Sequence, residues 1–309
     1  MKIIRPVEVP PKPLTATDAV MTASNVAVDD APEYASGTSY STGDKVMVLG
    51  TVQRVYEALQ ASTGSYPPDN SADWVDLGAV NRWKMFDGGT NTQTSNSETI
   101  NVTINPSEII NSFSLFSIQA ASLSITITGV NEGVVFDKTY SLIDNSAVDS
   151  WYAYYFEPIN TVSELTGIVN FADMDLPSYS NATIDVVLDN GTGEAKCGLL
   201  VVGNSYEVGT TVYGTAVGIR DFSRKEVDDF GNFTVVSRRF FRTVDYDVKI
   251  PTGKVQFVQK LLNQRRASPT VYIGNEDNPE TIVYGYYRDF DIVLSNLAFS
   301  SATLQVEGL

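Results

Sequence analysis

Apolar and polar residues alternate with a period of two in three separate runs, and this pattern constrains the fold more than any other feature. Ile100, Val102 and Ile104 alternate with polar residues, and the segments 123–127 and 184–188 repeat the pattern. Successive side chains of a strand point to opposite faces, so the alternation indicates strands that are buried on one side. Turn residues separate the runs, for example at residues 131–133, which predicts a mainly β chain built from hairpins.

Composition excludes several classes of site. The 309 residues carry a formal charge of -16, so the chain lacks the basic stripe that binds nucleic acid or an anionic membrane. There is no histidine, the commonest general base and zinc ligand, and Cys197 is the single cysteine. No apolar run is long enough for a membrane span. We therefore expect no nucleic-acid partner, no membrane insertion, no metal, no cofactor and no enzymatic activity.

Pattern and composition divide the chain into four segments. Residues 1–32 are rich in proline, which favours an extended backbone over helix or central strand. Residues 33–80 form a small aromatic-rich module with three short strands, and residues 81–203 form a β-sandwich. Residues 204–309 form a second β-rich domain, in which apolar residues at helical spacing predict one helix near 254–266.

Three shorter segments carry local predictions. The aromatic run Trp151–Phe156 favours a strand, because aromatic residues are enriched in strands. Residues 220–232 are polar and charged, which predicts a loop. The Asp189-Asn190-Gly191 tripeptide predicts a turn that ends one strand and begins the next.

The proline-rich segment 1–32 has two interpretations. It is either a loose terminus or an extended arm that docks on a neighbouring subunit. The early apolar residues Ile3, Ile4, Val7 and Val9 favour the docking arm, since a solvated tail would not carry them. The opening M-K-I-I-R-P lacks the apolar core of a signal peptide. We therefore expect synthesis in a cytoplasm and assembly into a larger particle.

The module of residues 33–80 carries its aromatic residues in a specific order. Its key positions are Tyr40, Gly43-Asp44, Val46, Val55-Tyr56, Ala58, Pro67 and Trp74. This order resembles the small carbohydrate-binding modules of chitinases, of the family 5/12 type. The resemblance implies a mode of binding in which aromatic rings stack on sugar rings.

The resemblance places the carbohydrate-binding site at Tyr40, Tyr56, Tyr66 and Trp74. Tyr66, beside Pro67, is expected to be the most exposed of these rings. The alternative is that Tyr34, Tyr40, Tyr56 and Trp74 form the core of the module. In that family the stacking rings follow the Y-x-A element, where this chain has Leu59 and Gln60.

Motifs along most of the chain resemble proteins encoded among the tail genes of tailed bacteriophages. These motifs are N-R-W-K-M-F-D-G at residues 81–88, D-F-S-R-K-E-V-D-D-F-G at 221–231, V-Y-G-Y-Y-R-D-F at 283–290 and V-E-G-L at 306–309. The resemblance implies a structural component of the virion, in the tail or its tip, made in the host cytoplasm. It also implies docking on other virion proteins through residues 1–32, a homo-oligomeric state and contact with a host surface polysaccharide.

Together these patterns predict a mainly β fold. It comprises a small three-stranded carbohydrate-binding-like module, a β-sandwich of jelly-roll or galactose-binding-like type, and a second β-rich region with one helix. Two alternatives to a virion structural protein stay open: a glycan-binding receptor module and a polysaccharide-degrading enzyme. The enzyme would need two carboxylates across one bond, for which the candidates are Asp173 with Asp175, Asp228 with Asp229, and Asp289 with Asp291.

Overall fold

The computed structural model describes residues 1–50, 52–106, 108–143, 151–156, 170–227, 230–231, 233–238, 240–276, 278–294 and 297–309. In these residues the chain is mainly β, as predicted, and its named strands pair in antiparallel fashion. The α-helices are α1, Trp151–Phe156, and α2, Val255–Gln264. Short 3-10 helices span Pro67–Asp69, Asn81–Phe86, Thr252–Lys254 and Pro279–Thr281.

The strands follow one another through the whole described chain. In order they are β1 Lys2–Pro6, β2 Met21–Ser24, β3 Ser39–Tyr40, β4 Lys45–Val48, β5 Arg54–Ala58, β6 Ser62–Thr63, β7 Trp74–Ala79, β8 Thr94–Ile104, β9 Ser112–Phe116, β10 Ser122–Gly129 and β11 Gly133–Ser141. They continue with β12 Asn170–Asp173, β13 Thr183–Cys197, β14 Leu199–Glu207, β15 Thr210–Thr211, β16 Ala216–Asp221, β17 Arg224–Val227, β18 Phe233–Val236, β19 Phe240–Pro251, β20 Thr270–Ile273, β21 Ile282–Val293 and β22 Phe299–Gly308.

A five-stranded sheet and part of a ten-stranded sheet form the predicted sandwich. The smaller sheet has the order β11-β10-β13-β8-β2. The period-two runs lie on β8, β10 and β13, and their apolar residues, such as Ile100, Leu123 and Leu188, are buried in one core. Leu115 of β9 and Val202 of β14 close that core from the other sheet. Burial of one face of each sheet is what the alternating pattern predicts.

The ten-stranded sheet continues beyond the sandwich to a second core under α2. Its order is β12-β9-β14-β1-β20-β21-β22-β19-β15, and β16 also pairs with β19. Val258, Leu261 and Leu262 of α2 pack with Tyr246 and Val248 of β19. The helix predicted near 254–266 is therefore confirmed, and it ends where the N–H of Arg265 bonds the carbonyl oxygens of Leu261 and Leu262.

The sequence analysis predicted that the N-terminal segment is either a loose terminus or an arm that docks on a neighbouring subunit. Both interpretations are wrong for its first residues, which form a strand inside this chain. β1 lies at the middle of the ten-stranded sheet, paired with β14 on one side and β20 on the other. Ile3 and Ile4 are fully buried, and Val9 is buried in the sandwich core. The apolar residues that favoured a docking arm are therefore used inside the chain itself. Pro6 is tolerated because it lies at the end of the strand.

The predicted domain boundary between residues 203 and 204 needs correction as well. It falls inside β14, whose residues Leu199–Gly203 pair with β9 and whose residues Gly203–Glu207 pair with β1. The ten-stranded sheet therefore takes strands from both sides of the boundary. The sandwich and the C-terminal region share this sheet, so they are not separate sheets joined by a linker.

Three local predictions also differ from the structure. Trp151–Phe156 is helix α1, in which Trp151 stacks on Tyr155 with ring centroids 6.0 Å apart and Tyr152 contacts Phe156 at 5.3 Å. These pairs are four residues apart, a spacing that brings side chains together on a helix. The predicted turn at Asp189-Asn190-Gly191 is an irregularity within β13, where the register with β8 shifts. The predicted loop at 220–232 contains the end of β16 and the strand β17.

Candidate functional site

The module of residues 33–80 has its own small core. Its strands form a β4-β5-β7 sheet and a short β3-β6 ladder, which confirms the three predicted strands. Val46 lies opposite Tyr56, and Ala58 lies opposite Trp74. These side chains and Val48 form a buried cluster that is separate from the sandwich core.

The opposite face of the module's sheet packs on the sandwich. Met47 is buried in the sandwich core, and Val55 and Ala79 pack against that core. Trp83 and Met85, which follow the module directly, are buried in the same core. Because side chains alternate along a strand, the face that carries Tyr56 and Trp74 points away from the sandwich. The module is therefore fixed through one face and presents its aromatic residues on the other.

Two of the four predicted carbohydrate-binding residues are core residues. Trp74 is 2% exposed, and its Nε1 donates a hydrogen bond to the carbonyl oxygen of Ser65 at 3.1 Å. Tyr56 is 6% exposed, and burial, with a smaller contribution from the Asp76 carboxylate, raises the pKa of its hydroxyl. A ring needs an open face to stack on a sugar. The predicted stacking role is therefore wrong for Tyr56 and Trp74.

Four aromatic rings form a continuous cluster, which comprises Tyr34, Tyr40, Tyr66 and Trp74. Tyr34 stacks on Tyr40 with centroids 5.7 Å apart, and Tyr40 meets Trp74 edge-on at 5.2 Å. Tyr34 also contacts Trp74 at 6.2 Å and Tyr66 at 5.8 Å, both edge-on. Edge-on and offset contacts at these distances are favourable between aromatic rings. The cluster runs from the buried Trp74 to the exposed Tyr66, with Tyr34 and Tyr40 half-buried between them.

Tyr66 is the predicted site residue that the structure leaves open. It is 40% exposed, and it precedes the 3-10 helix Pro67–Asp69, in which Pro67 is buried. The Asn70 side-chain amide donates to the Tyr66 carbonyl oxygen at 2.8 Å. This bond and the contact with Tyr34 hold the residue in place. The prediction that Tyr66 is the most exposed ring of the four agrees with this geometry.

Polar side chains beside Tyr66 are held in a hydrogen-bonded network. Ser65 Oγ donates to Asp73 Oδ2 and Gln60 Nε2 donates to Asp73 Oδ1, each at 2.5 Å. These two bonds lower the pKa of the Asp73 carboxyl below its usual range, and the bond from Ser65 has the larger effect. An exposed ring flanked by an amide and a carboxylate can receive the apolar face of a sugar and bond its hydroxyl groups. The arrangement is therefore chemically suited to a carbohydrate.

Tyr34 belongs to this site although it is absent from the four predicted binding residues. It is the ring that joins Tyr66 to the rest of the cluster. Its hydroxyl oxygen is buried and has no hydrogen-bond partner within the described part of the chain. The sequence places Tyr34 six residues before Tyr40, outside any strand. No periodic pattern could therefore show that the two rings stack.

The structure describes two of the three acidic pairs that a polysaccharide-degrading enzyme would need. Asp173 accepts hydrogen bonds from the Tyr140 hydroxyl and the Asp175 backbone N–H, and Lys138 Nζ lies 3.5 Å from its Oδ2. Burial and this Asp173 contact raise the pKa of Tyr140. Asp289 and Asp291 are exposed on β21. The third pair, Asp228 and Asp229, lies outside the described residues.

Two of the cavities in the described part of the chain are lined by residues of the ten-stranded sheet and its connections. One of about 520 Å³ is lined by Phe116, Phe241, Arg242 and Tyr284, among others, and by no acidic side chain. The other, of about 590 Å³, contains Glu207, which is paired with Lys254 at 2.8 Å. Neither cavity brings two carboxylates together. In the residues that the structure describes, no group of three acidic or cysteine side chains could hold a metal ion. No helix in that part of the chain is long and apolar enough to cross a membrane.

Comparison with known proteins gives partial structural similarities. No family model matches the chain, and no curated protein matches it. Two solved structures of chitosan-binding module 1, derived from a chitosanase/glucanase of Paenibacillus sp. IK-5, are similar in part. The first, a selenomethionine-labelled mutant, has 12% identity and a TM-score of 0.26, and the match covers 40% of this chain and 84% of the module. The second has 14% identity and a TM-score of 0.24, with 39% and 83% covered.

Proposed function

We propose that this chain is a non-catalytic structural protein of a tailed-phage virion, in the tail or its tip, whose module of residues 33–80 contacts a host surface glycan. The virion role rests on the motif resemblance along the chain. The glycan contact rests on one observation: Tyr66 is open to solvent, while the rings behind it are half-buried (Tyr34) or buried (Trp74). An exposed ring on a rigid aromatic base is pre-organised, so little entropy is lost when a sugar stacks on it.

The charge of the protein selects the class of glycan. The chain carries -16, and Asp69 and Asp73 lie in the loop that holds Tyr66. An anionic polysaccharide would be repelled by this field, whereas a neutral or amine-bearing sugar would not. We therefore propose a neutral or amine-bearing polysaccharide as the ligand.

The absence of catalysis is part of the same proposal. A glycosidase needs two carboxyl groups on either side of one bond, within about 10 Å of each other. Asp173 is already engaged by Tyr140 and Lys138, and it is 12% exposed, so it is not free to attack or protonate a sugar. The cavities hold no pair of carboxylates. These features favour a binding protein over the polysaccharide-degrading alternative.

Cosedimentation with insoluble polysaccharides tests the glycan contact. The full chain is mixed with chitin, chitosan beads, cellulose or an anionic alginate gel. We expect it to pellet with at least one of the first three, to remain soluble with alginate, and to lose binding in Tyr66→Ala.

The matched control is Leu77→Ala, which removes an exposed apolar side chain of the same module outside the aromatic cluster. Equal binding by the Tyr66→Ala and Leu77→Ala variants would refute the proposed contact. Antibody labelling of purified phage particles in the electron microscope tests the virion role. An absence of label on the particles would refute that part of the proposal.

A further inference from the structure

The loop that holds Tyr66 carries two carboxylates and no basic side chain. This Tyr66 loop spans residues 60–73, and its charged residues are Asp69 and Asp73. The whole module of residues 33–80 contains six acidic residues and only two basic ones. The exposed ring therefore lies on a small unit that is strongly negative, within the loop of that unit that has no positive charge of its own.

Both basic side chains of the module are already paired with carboxylates outside the Tyr66 loop. Lys45 Nζ lies 3.7 Å from Glu57 Oε2, and Arg54 Nε lies 2.7 Å from Asp76 Oδ2. Among the residues that the structure describes, no ion pair includes a carboxylate of the Tyr66 loop. The two carboxylates beside the exposed ring therefore have no counter-charge in that part of the chain.

The surrounding hydrogen bonds hold Asp73 beside the ring. Ser65 precedes Tyr66 in the chain, and its Oγ donates to Asp73 Oδ2 at 2.5 Å. Gln60 Nε2 donates to Asp73 Oδ1, also at 2.5 Å. The bonds from Ser65 and Gln60 lower the pKa of this carboxyl, and no cation contributes to the shift. A carboxylate can accept about four hydrogen bonds, so Asp73 is an ionised acceptor that has room for further donors.

Asp69 supplies the second carboxylate, three residues after Tyr66. Its backbone N–H donates to the Tyr66 carbonyl oxygen at 3.2 Å and closes the turn that begins the 3-10 helix. Residues three apart in a turn of this kind point in the same direction. Both side chains are exposed. The ring and this carboxylate therefore face the same region of solvent.

A sugar that carries a protonated amino group matches this arrangement. Its pyranose ring can lie on the open side of Tyr66, and its ammonium group brings three N–H donors and a positive charge. Carboxylates accept charged donors strongly, and a cation beside an aromatic ring is attracted to it as well. The ammonium group also relieves the repulsion between the two carboxylates, which a neutral sugar leaves in place and an anionic sugar increases.

We propose that Tyr66, Asp69 and Asp73 together select a polysaccharide with protonated amino groups over its neutral form. This inference rests on the glycan contact proposed above, and it narrows the ligand of that contact to one chemical class. The ring supplies a stacking contact that a neutral sugar would share, whereas the carboxylates supply the discrimination. Exposed charge pairs contribute little each, so we expect the two carboxylates to raise the affinity about three- to tenfold at low salt.

Calorimetric titration with two forms of one sugar tests this selection. Deacetylated chitohexaose, which carries amines, and its neutral N-acetylated form are titrated into the unmodified chain at mildly acidic pH. We expect about three- to tenfold tighter binding of the amine-bearing form at low salt, and a smaller ratio at high salt, because salt screens exposed charges. A variant with both Asp69→Asn and Asp73→Asn should bring the ratio close to one. The matched control is Asp291→Asn, which removes an exposed carboxylate from β21 outside the module and should leave the ratio unchanged.

The single variant Asp69→Asn guards the test against misfolding. Its bond to Tyr66 is made by the backbone N–H, which asparagine keeps, so this variant should fold and should lower the ratio on its own. Circular dichroism checks the fold of the variants with Asp73→Asn.

The possible results separate this inference from the glycan contact on which it rests. Equal affinity of the unmodified chain for the two sugars, or a ratio that the double variant leaves unchanged, would overturn the selection and leave the contact intact. Binding of neither sugar would refute the contact and the selection together. Hexalysine is titrated as a cation without a sugar ring. If it bound as tightly as the amine-bearing sugar, the loop would attract cations in general, and the proposed selection of a polysaccharide would be overturned.

Discussion

Gly203 determines how closely β1 can approach β14. A Cβ atom at this position would lie 2.0 Å from the carbonyl oxygen of Arg5 and 3.0 Å from Ile4 Cγ2. The first of these atoms belongs to the backbone, so the two strands would have to separate. We expect Gly203→Ala to lower the free energy of unfolding by about 2–3 kcal/mol, measured by urea denaturation. Gly253→Ala is the matched control, since nothing lies within 4 Å of its added Cβ, and an equal loss in both variants would contradict this account.

A buried thiol and a buried tyrosine hydroxyl make the stability of the fold sensitive to alkaline pH. Burial raises the pKa of the Cys197 thiol from 9.0 to about 12 and that of the Tyr284 hydroxyl from 10.0 to about 12. Each group is raised in the folded state, so the unfolded chain releases these protons first. The stability that these two protonated groups contribute is therefore fully present below about pH 9, and it is lost as the pH rises from 9 towards 12.

Urea denaturation under reducing conditions measures this decline. Cys197→Ala should lose less stability than the unmodified chain between about pH 8.5 and 10.5. A thiol reagent at about pH 8.5 should modify Cys197 only after denaturation, because the side chain is fully buried. Rapid modification of the folded protein, or an identical pH profile for both proteins, would count against the buried thiol.

The limits of sequence reasoning are clear at the residue scale. Tyr56 and Ala58 are two residues apart on β5, so the sequence shows that their side chains share one face of the strand. It does not show that Trp74, paired with Ala58 across the sheet, and Tyr34 cover that face. Tyr66 could be identified as exposed because it lies beside two prolines in a polar loop. The role of Tyr34 depends on ring contacts that no local pattern encodes.

The element with the largest structural consequence is β1. Its residues pair with β14, about 200 positions later, and with β20 beyond that. The local sequence shows only prolines and a few apolar residues, so its tertiary partners decide its structure. The helix α2 was predictable because its own apolar spacing carries the signal, whereas α1 was not, because aromatic residues suit strands as well as helices.

Substitution within β1 tests whether this strand is part of the core. Ile4 is fully buried in a further apolar cluster with Val201 of β14 and Val271 of β20, so Ile4→Ala should lower the free energy of unfolding by about 2–5 kcal/mol. Lys2→Ala should change it by less than about 1 kcal/mol, since this residue makes a partly exposed ion pair with Glu276. Comparable effects of the two substitutions in thermal or urea denaturation would mean that β1 is not held in the sheet.

At the scale of the whole molecule, the ten-stranded sheet continues across the domain boundary that the sequence predicts between residues 203 and 204. The mainly β fold, the sandwich and the small module could be predicted because alternation and turn residues are local signals. The pairing of β14, β1 and β20 across that boundary could not be predicted, because pairing between distant strands produces no local sequence pattern. The resulting body presents Tyr66 on the module, with Asp69 and Asp73 in the loop that holds it.

The central claim is that Tyr66 contacts a glycan through its ring, and calorimetric titration tests it most directly. Neutral N-acetylated chitohexaose and its amine-bearing deacetylated form are titrated into the unmodified chain, Tyr66→Phe and Tyr66→Ala. We predict binding of at least one sugar, similar affinity in Tyr66→Phe because the ring is kept, and at least about tenfold weaker binding in Tyr66→Ala. Equal affinity in Tyr66→Ala, or no binding of either sugar by the unmodified chain, would contradict the account.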